Sequence, residues 1–249
     1  MSGHSKWHSI KHQKGVADAR RGQLFTKLTR EIIVAVRQGG PSPDTNFRLR
    51  LAIQKARDAN MPLDNIDRAI KRGSGETDGV ALAEMVLEGY GPSGAAILVQ
   101  ALSDNRNRTV QDIRNLFSRN GGNLGENGCV AWLFESKGLI LVTPGDNDPE
   151  EIALQAIDAG AEDVKIEGDG IEIYTTPEDF MTVRSALEDA GIPIDSSEVS
   201  MLPLTTVDLE EKPALQNLRL LQKLEELDEV QLVSSNINFT DDLLAKYES

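Results

Sequence analysis

The order of elements over residues 139–202 narrows the fold more than any other feature of this chain. Residues 139–142 read as a strand and 149–159 as a helix that Gly160 stops. Residues 163–166 and 171–174 read as two strands joined at Gly168-Asp169-Gly170, 178–190 as a helix stopped by Gly191, and 198–202 as a strand. That order, β-α-β-β-α-β, is the split-βαβ signature of a ferredoxin-like unit. A helix over 214–227 and a strand over 230–233 follow it and have no partner in a finished six-element unit. Returning them to the segment before residue 139 makes the ferredoxin-like unit an insertion within that segment.

The earlier segment supplies the rest of the host. A strand over 83–90, a turn at Gly91-Pro92-Ser93-Gly94 and a strand over 95–102 predict a hairpin. Asn107 or Thr109 opens a helix that buries Val110, Ile113, Leu116 and Phe117 and stops at Asn120-Gly121-Gly122, and residues 129–134 read as β-rich. Before the hairpin, helices are predicted over 18–37 and 45–59. A third has Asn60 as its cap and Pro62 in its first turn, and it buries Leu63, Ile66 and Ile70. The fold class is therefore α+β in three domains: a basic helical bundle over 1–75, an α+β domain over 76–136 and 204–249, and an inserted ferredoxin-like domain over 137–203. The acidic stretch 241–249 is expected to fray.

Charge divides the chain in the same place. Net charge is −14 overall, yet residues 1–75 hold 15 Lys and Arg against 6 Asp and Glu, a net of +9, and the remainder holds 11 against 34, a net of −23. The Debye length in physiological salt is ~8 Å, so a distant acidic body does not cancel a basic face locally. On the first helix Arg20, Lys27, Arg30 and Arg37 are 7, 3 and 7 residues apart. At ~100° per residue they share an arc of about 100°, opposite the stripe of Leu24, Phe25, Leu28 and Ile32, with Arg21 beside it. Lys6, Trp7, His8, Lys11, His12 and Lys14 extend this cationic surface toward the N-terminus, and one Trp among Lys and His suits base stacking combined with phosphate neutralisation. A second cluster, Asn105-Arg106-Asn107-Arg108-Thr109, offers Arg106 and Arg108 to a phosphate at a helix start. The same Asn and Thr side chains would equally cap that helix.

Other chemistry finds little support. His4, His8 and His12 recur at helical spacing, but no carboxylate precedes Asp18, and Lys6, Lys11 and Lys14 among and beside them repel a cation, so no metal is expected. Cys129 is the sole cysteine and lies in an apolar run, where an inert thiol is the expectation. Neither Gly-Xaa-Ser-Xaa-Gly nor a phosphate-binding glycine loop ending in Lys and Ser or Thr occurs. No enzymatic activity, cofactor or small-molecule substrate is implied. No apolar run approaches the ~20 residues of a membrane span, and no apolar leader core stands at the N-terminus, so a cytoplasmic protein is expected.

Several motifs, in order along the chain, resemble the YebC family: Gly3-His4-Ser5-Lys6-Trp7, Asp18-Ala19-Arg20-Arg21-Gly22-Gln23-Leu24-Phe25-Thr26-Lys27-Leu28, Gly89-Tyr90-Gly91-Pro92, Asp104-Asn105-Arg106-Asn107-Arg108-Thr109 and Gly121-Gly122-Asn123-Leu124-Gly125. The resemblance implies three domains with the last one inserted, and a regulator of gene expression without catalysis, acting on DNA in transcription or at the ribosome in translation. A basic helix rich in Lys and Arg positions on phosphates without reading sequence, and a Lys/Trp/His tail suits exposed bases. Translational regulation through ribosomal RNA is therefore the leading expectation, and DNA-binding transcriptional regulation the alternative.

Overall fold

The computed structural model describes residues 18–76, 81–168 and 170–248, the side chains of 18–20, 241 and 248 excepted. Three helices come first: α1 (Asp18–Gly39), α2 (Phe47–Asp58) and α3 (Leu63–Gly73). Their shared core is Leu28, Ile32, Ala35 and Val36 of α1 with Leu49, Ala52, Ile53 and Ala56 of α2 and Ile66 and Ala69 of α3. Asn46 joins α1 to α2. Its side-chain oxygen accepts the Leu49 N–H at 3.0 Å, and its amide donates to the carbonyls of Ala35 and Gly40 at 2.7 and 2.8 Å.

Two expectations for this bundle are corrected. Asn60 does not cap α3; it ends α2 in the left-handed region at φ 55°. There its N–H bonds to the Arg57 carbonyl and that of Met61 to the Ala56 carbonyl, both at 2.9 Å, which is a Schellman closure. Leu63 is 64% exposed, because Met61 just before the helix and Ala69 within it fill the interior instead.

The host sheet has the order β3-β1-β2-β8. Its strands are β1 (Ala83–Tyr90), β2 (Ala96–Ser103), β3 (Asn123–Leu124) and β8 (Val230–Ser235). The helices α4 (Arg106–Arg119) and α7 (Glu211–Glu225) cover one face. Ile113, Phe117, Leu218, Leu221 and Leu224 from the helices meet Met85, Leu87, Ile97, Val99 and Val233 from the strands. β8 lies antiparallel beside β2, with Val99 opposite Val233, although most of the chain's second half separates them. The terminal residues expected to fray form α8 (Asp241–Glu248), because Leu244 and Tyr247 on one side of it reach the host core.

The hairpin turn explains one glycine. Asn217 of α7 is fully buried and donates to the carbonyls of Pro92 and Pro213 at 3.0 and 2.9 Å. A Cβ at Gly91 would collide with Asn217 Oδ1. Gly91→Ala is accordingly expected to cost about 2–3 kcal/mol through overpacking and loss of these bonds. A urea denaturation midpoint unchanged from the parent would contradict this.

Of residues 129–134, expected to be β-rich, only Phe134 lies in a strand; Cys129 and Val130 bend into a short 3-10 helix, Ala131–Leu133. The cause is 40 residues upstream. The Glu88 carboxylate, 5% exposed, accepts the N–H groups of Gly128, Val130 and Ala131 at 2.6, 2.7 and 2.7 Å. Donors held there are not free for a strand ladder.

The second sheet has the order β5-β6-β4-β7, antiparallel throughout. It comprises β4 (Phe134–Val142), β5 (Asp163–Glu167), β6 (Gly170–Thr175) and β7 (Ile194–Pro203), with α5 (Pro149–Asp158) and α6 (Phe180–Asp189) on one face. β6 lies between β4 and β5, the split-βαβ arrangement. Both β4 and β7 start earlier than periodicity suggests. The polar run Glu135-Ser136-Lys137 hides the ladder that pairs Phe134 with Pro203. The chain enters and leaves this sheet at one place, where the Leu204 N–H donates to the Leu133 carbonyl at 2.8 Å.

Candidate nucleic-acid interface

Each helix of the bundle finishes in cations: Arg37 in α1, Lys55 and Arg57 in α2, and Lys71 and Arg72 in α3. Positive charge at a helix C-terminus complements the macrodipole, so local physics favours this placement before any ligand is considered. Gly73 lies against Val36, bringing the last turn of α3 beside that of α1 and setting Lys71 and Arg72 at the same end of the bundle as Arg37. Arg37, Arg57, Lys71 and Arg72 are exposed and make no ion pair among the described residues. Arg68, a turn earlier, is exposed and is steadied by the Asp64 carbonyl at 3.0 Å and by the Asn65 side chain.

The cationic arc expected on α1 divides. Arg37 faces outward, and so does Arg21, whose guanidinium lies 5.5 Å from the centre of the Phe25 ring. Lys27 and Arg30 turn toward the acidic body. Lys27 donates to the Glu225 carbonyl and Gln23 to that of Glu226, so α1 caps the C-terminal end of α7. Arg30 stands 3.8 Å from the Glu229 carboxylate, with only 20% of its side chain exposed. The face opposite the apolar stripe is thus partly an internal surface. Arg20 belongs to α1, but its side chain lies outside the described residues, as do Lys6, Trp7, His8, Lys11, His12 and Lys14 together with His4.

At the start of α4 the capping role is visible. Asn105 accepts the Arg108 N–H at 3.1 Å, and Thr109 donates to the Ser103 hydroxyl at 2.7 Å. Arg106 is exposed, whereas Arg108 binds Asp104 at 2.8 Å and Glu229 at 3.3 Å. Glu229 therefore stands between Arg30 and Arg108 and ties α1 to α4. Two further pairs fix the bundle to the rest of the chain. Arg48 forks onto Glu84 at 2.7 and 3.0 Å, and Arg184 of α6 forks onto Asp58 at 2.7 and 2.9 Å. The Arg48 partnership holds the Glu84 carboxyl below its ordinary range, against the opposing effect of burial.

Arg57, Arg68, Lys71 and Arg72 are not among the cations expected from the sequence, which are those of the N-terminal stretch, the first helix and the start of α4. The signal was present: 68, 71 and 72 are spaced as neighbours on one helix side, away from Ile66 and Ala69. Other chemistry is scarce. Burial, and after it the Glu88 charge, pushes the Cys129 thiol up, away from the reactive thiolate. Among the described residues no group of three or more His, Cys, Asp or Glu is placed to hold a metal, and no helix is long and apolar enough to cross a membrane.

Residues 5–76 match the family description "TACO1/YebC protein N-terminal domain", and residues 82–237 match "TACO1/YebC second and third domain". A probable transcriptional regulatory protein of Dehalococcoides mccartyi is 60% identical over all of this chain and 99% of its own length. One from Chloroflexus aurantiacus, with the same description, is 52% identical over the whole of both chains. The crystal structure of a conserved hypothetical protein from Aquifex aeolicus superposes with a TM-score of 0.82 at 48% identity, covering 93% of this chain and 96% of that one.

Proposed function

The chain belongs to the TACO1/YebC family of probable transcriptional regulatory proteins, which is non-enzymatic, and from this premise we propose that it regulates transcription by binding nucleic acid through its N-terminal helical region. The observation that carries the proposal is the set of exposed cations Arg37, Arg57, Arg68, Lys71 and Arg72, which form no ion pair among the described residues, on an otherwise acidic protein. Lys and Arg on helix surfaces neutralise phosphates, releasing counterions, and they set register without reading bases. Arg21, Arg106 and the N-terminal Lys6, Lys11, Lys14 and Arg20 add to the same attraction. Lys27, Arg30 and Arg108 act chiefly by holding the bundle against the body.

The relatives' descriptions favour DNA as the ligand. A second reading, translational regulation through ribosomal RNA, is favoured by Trp7 among lysines and histidines, which suits stacking on unpaired bases. In either case residues 1–75 bind nucleic acid in the cytoplasm, residues 76–136 and 204–249 form the host domain, and residues 137–203 form the inserted one. Crosslinking in cells followed by sequencing of bound DNA and RNA separates the readings. Discrete promoter peaks are expected; enrichment of ribosomal RNA would transfer the proposal to translation, and enrichment of neither would overturn it.

A further inference from the structure

We propose that Trp132 and Leu204 anchor a docking surface for a protein partner that presents an apolar side chain within a basic rim. Trp132 is 68% exposed and Leu204 is 62% exposed, the former on the 3-10 turn before β4 and the latter just after β7. The bond from the Leu204 N–H to the Leu133 carbonyl brings the two chain segments together where the chain passes between its sheets. Two large exposed apolar residues on backbone segments joined in this way differ from the single ones common on any protein.

The indole is held before any partner arrives. Its N–H donates to the Cys129 carbonyl at 3.2 Å, and the Tyr90 hydroxyl donates to the same oxygen at 3.0 Å. The backbone beneath is fixed by the three bonds to Glu88. A pre-ordered aromatic loses little freedom on binding, and Trp is enriched among residues that dominate interface energetics.

Charge selects the occupant. No Lys or Arg occurs between Arg119 and Lys137, or between Arg184 and Lys212, so both segments that build the patch lack cations. Lys137 is itself held by Glu135 and Glu162. Glu126 and Glu135, the nearest charged residues in sequence on either side of Trp132, are exposed. A phosphate backbone is repelled from such a rim and a basic protein surface is drawn to it. This surface is independent of the nucleic-acid reading.

The sequence contains two tryptophans, so Trp7→Phe in the full chain leaves Trp132 as the sole indole reporter. The probes are a synthetic peptide of alternating lysine and leucine, its glutamate-leucine counterpart, and a single-stranded oligonucleotide. The lysine-leucine peptide is expected to shift Trp132 emission to the blue and shield it from acrylamide, with no effect from the other two. Leu204→Ser, and separately Glu126→Gln with Glu135→Gln, should weaken that binding at least tenfold. Trp132→Ala, followed by anisotropy of a labelled peptide, should do the same while circular dichroism stays unchanged. Equal peptide affinity in parent and Trp132→Ala would overturn the proposal. So would shielding by the oligonucleotide instead of the peptide, shielding by raised protein concentration alone, or no shielding by any probe.

Discussion

Glu88→Gln is expected to lower the stability of the folded chain by about 3 kcal/mol and to release the turn that carries Trp132. Two carboxylate oxygens accept three backbone N–H groups between 2.6 and 2.7 Å in a site 5% exposed. Glutamine keeps one acceptor and turns an NH₂ donor toward N–H donors, leaving at least one of them unpaired. Bonds to a charged acceptor are worth about 1.5–3 kcal/mol each, and an unpaired buried donor costs about 1–3 kcal/mol. Burial alone would raise the Glu88 carboxyl, but the three donors outweigh it and hold the group below its ordinary range. With the folded-state value lowered, its contribution is complete above the ordinary carboxylate value and disappears as pH falls through the lowered one. The parent should therefore lose stability on acidification below the usual carboxylate range, a component the glutamine variant lacks. Urea titrations across that interval, with Trp7→Phe in both chains and read by circular dichroism and Trp132 emission, measure both effects. Coincident curves for parent and variant would refute the account of the turn.

The second large effect concerns the cations of α3. Changing Arg68, Lys71 and Arg72 together to glutamine should weaken nucleic-acid binding roughly a hundredfold at moderate salt and flatten the logarithmic salt dependence by ~0.7–0.9 per lost contact. All three are exposed and glutamine keeps helix propensity, so the thermal transition should hardly move. Glutamine at Lys27 and Arg30 gives the contrast. Those side chains are engaged with the Glu225 carbonyl and Glu229, so their loss should loosen the bundle from the body and leave the salt slope unchanged. A triple variant with the parent's slope on both duplex DNA and ribosomal RNA would falsify the assignment of the interface to α3.

The second sheet was legible in its order because both of its helices stop at a glycine in the left-handed region, Gly160 after α5 and Gly191 after α6, while the polar ends of β4 and β7 stayed hidden. The host was legible by subtraction, a leftover helix and strand needing a partner. What escaped depends on side chains distant in sequence. The β-rich run expected at residues 129–134 is extended only at Phe134, because Glu88 captures the donors before it, and no local propensity in Val130-Ala131-Trp132 reports that. Asn60 carries the composition of a cap at either helix end, and only its positive φ decides which. The surroundings of the expected cations were the hardest to read. Apolar periodicity on α1 identifies the side that meets its own bundle, but Lys27 and Arg30 meet a different domain through polar contacts, which leave no periodic trace.

The pairing of β2 with β8 sets an order of events during synthesis. β2 (Ala96–Ser103) is almost wholly buried in the finished sheet, yet one of its sides waits for β8 (Val230–Ser235). Chains emerge at ~5–20 residues per second, so the stretch between these strands takes on the order of ten seconds to appear. During that time the second sheet, whose strands are contiguous along the chain, can close by itself, while an apolar edge of β2 stays open to unwanted strand addition. The join at Leu133 and Leu204 limits that exposure: once the inserted sheet has closed, it returns the nascent chain to the host close to where it left, leaving α7 and β8 a short search.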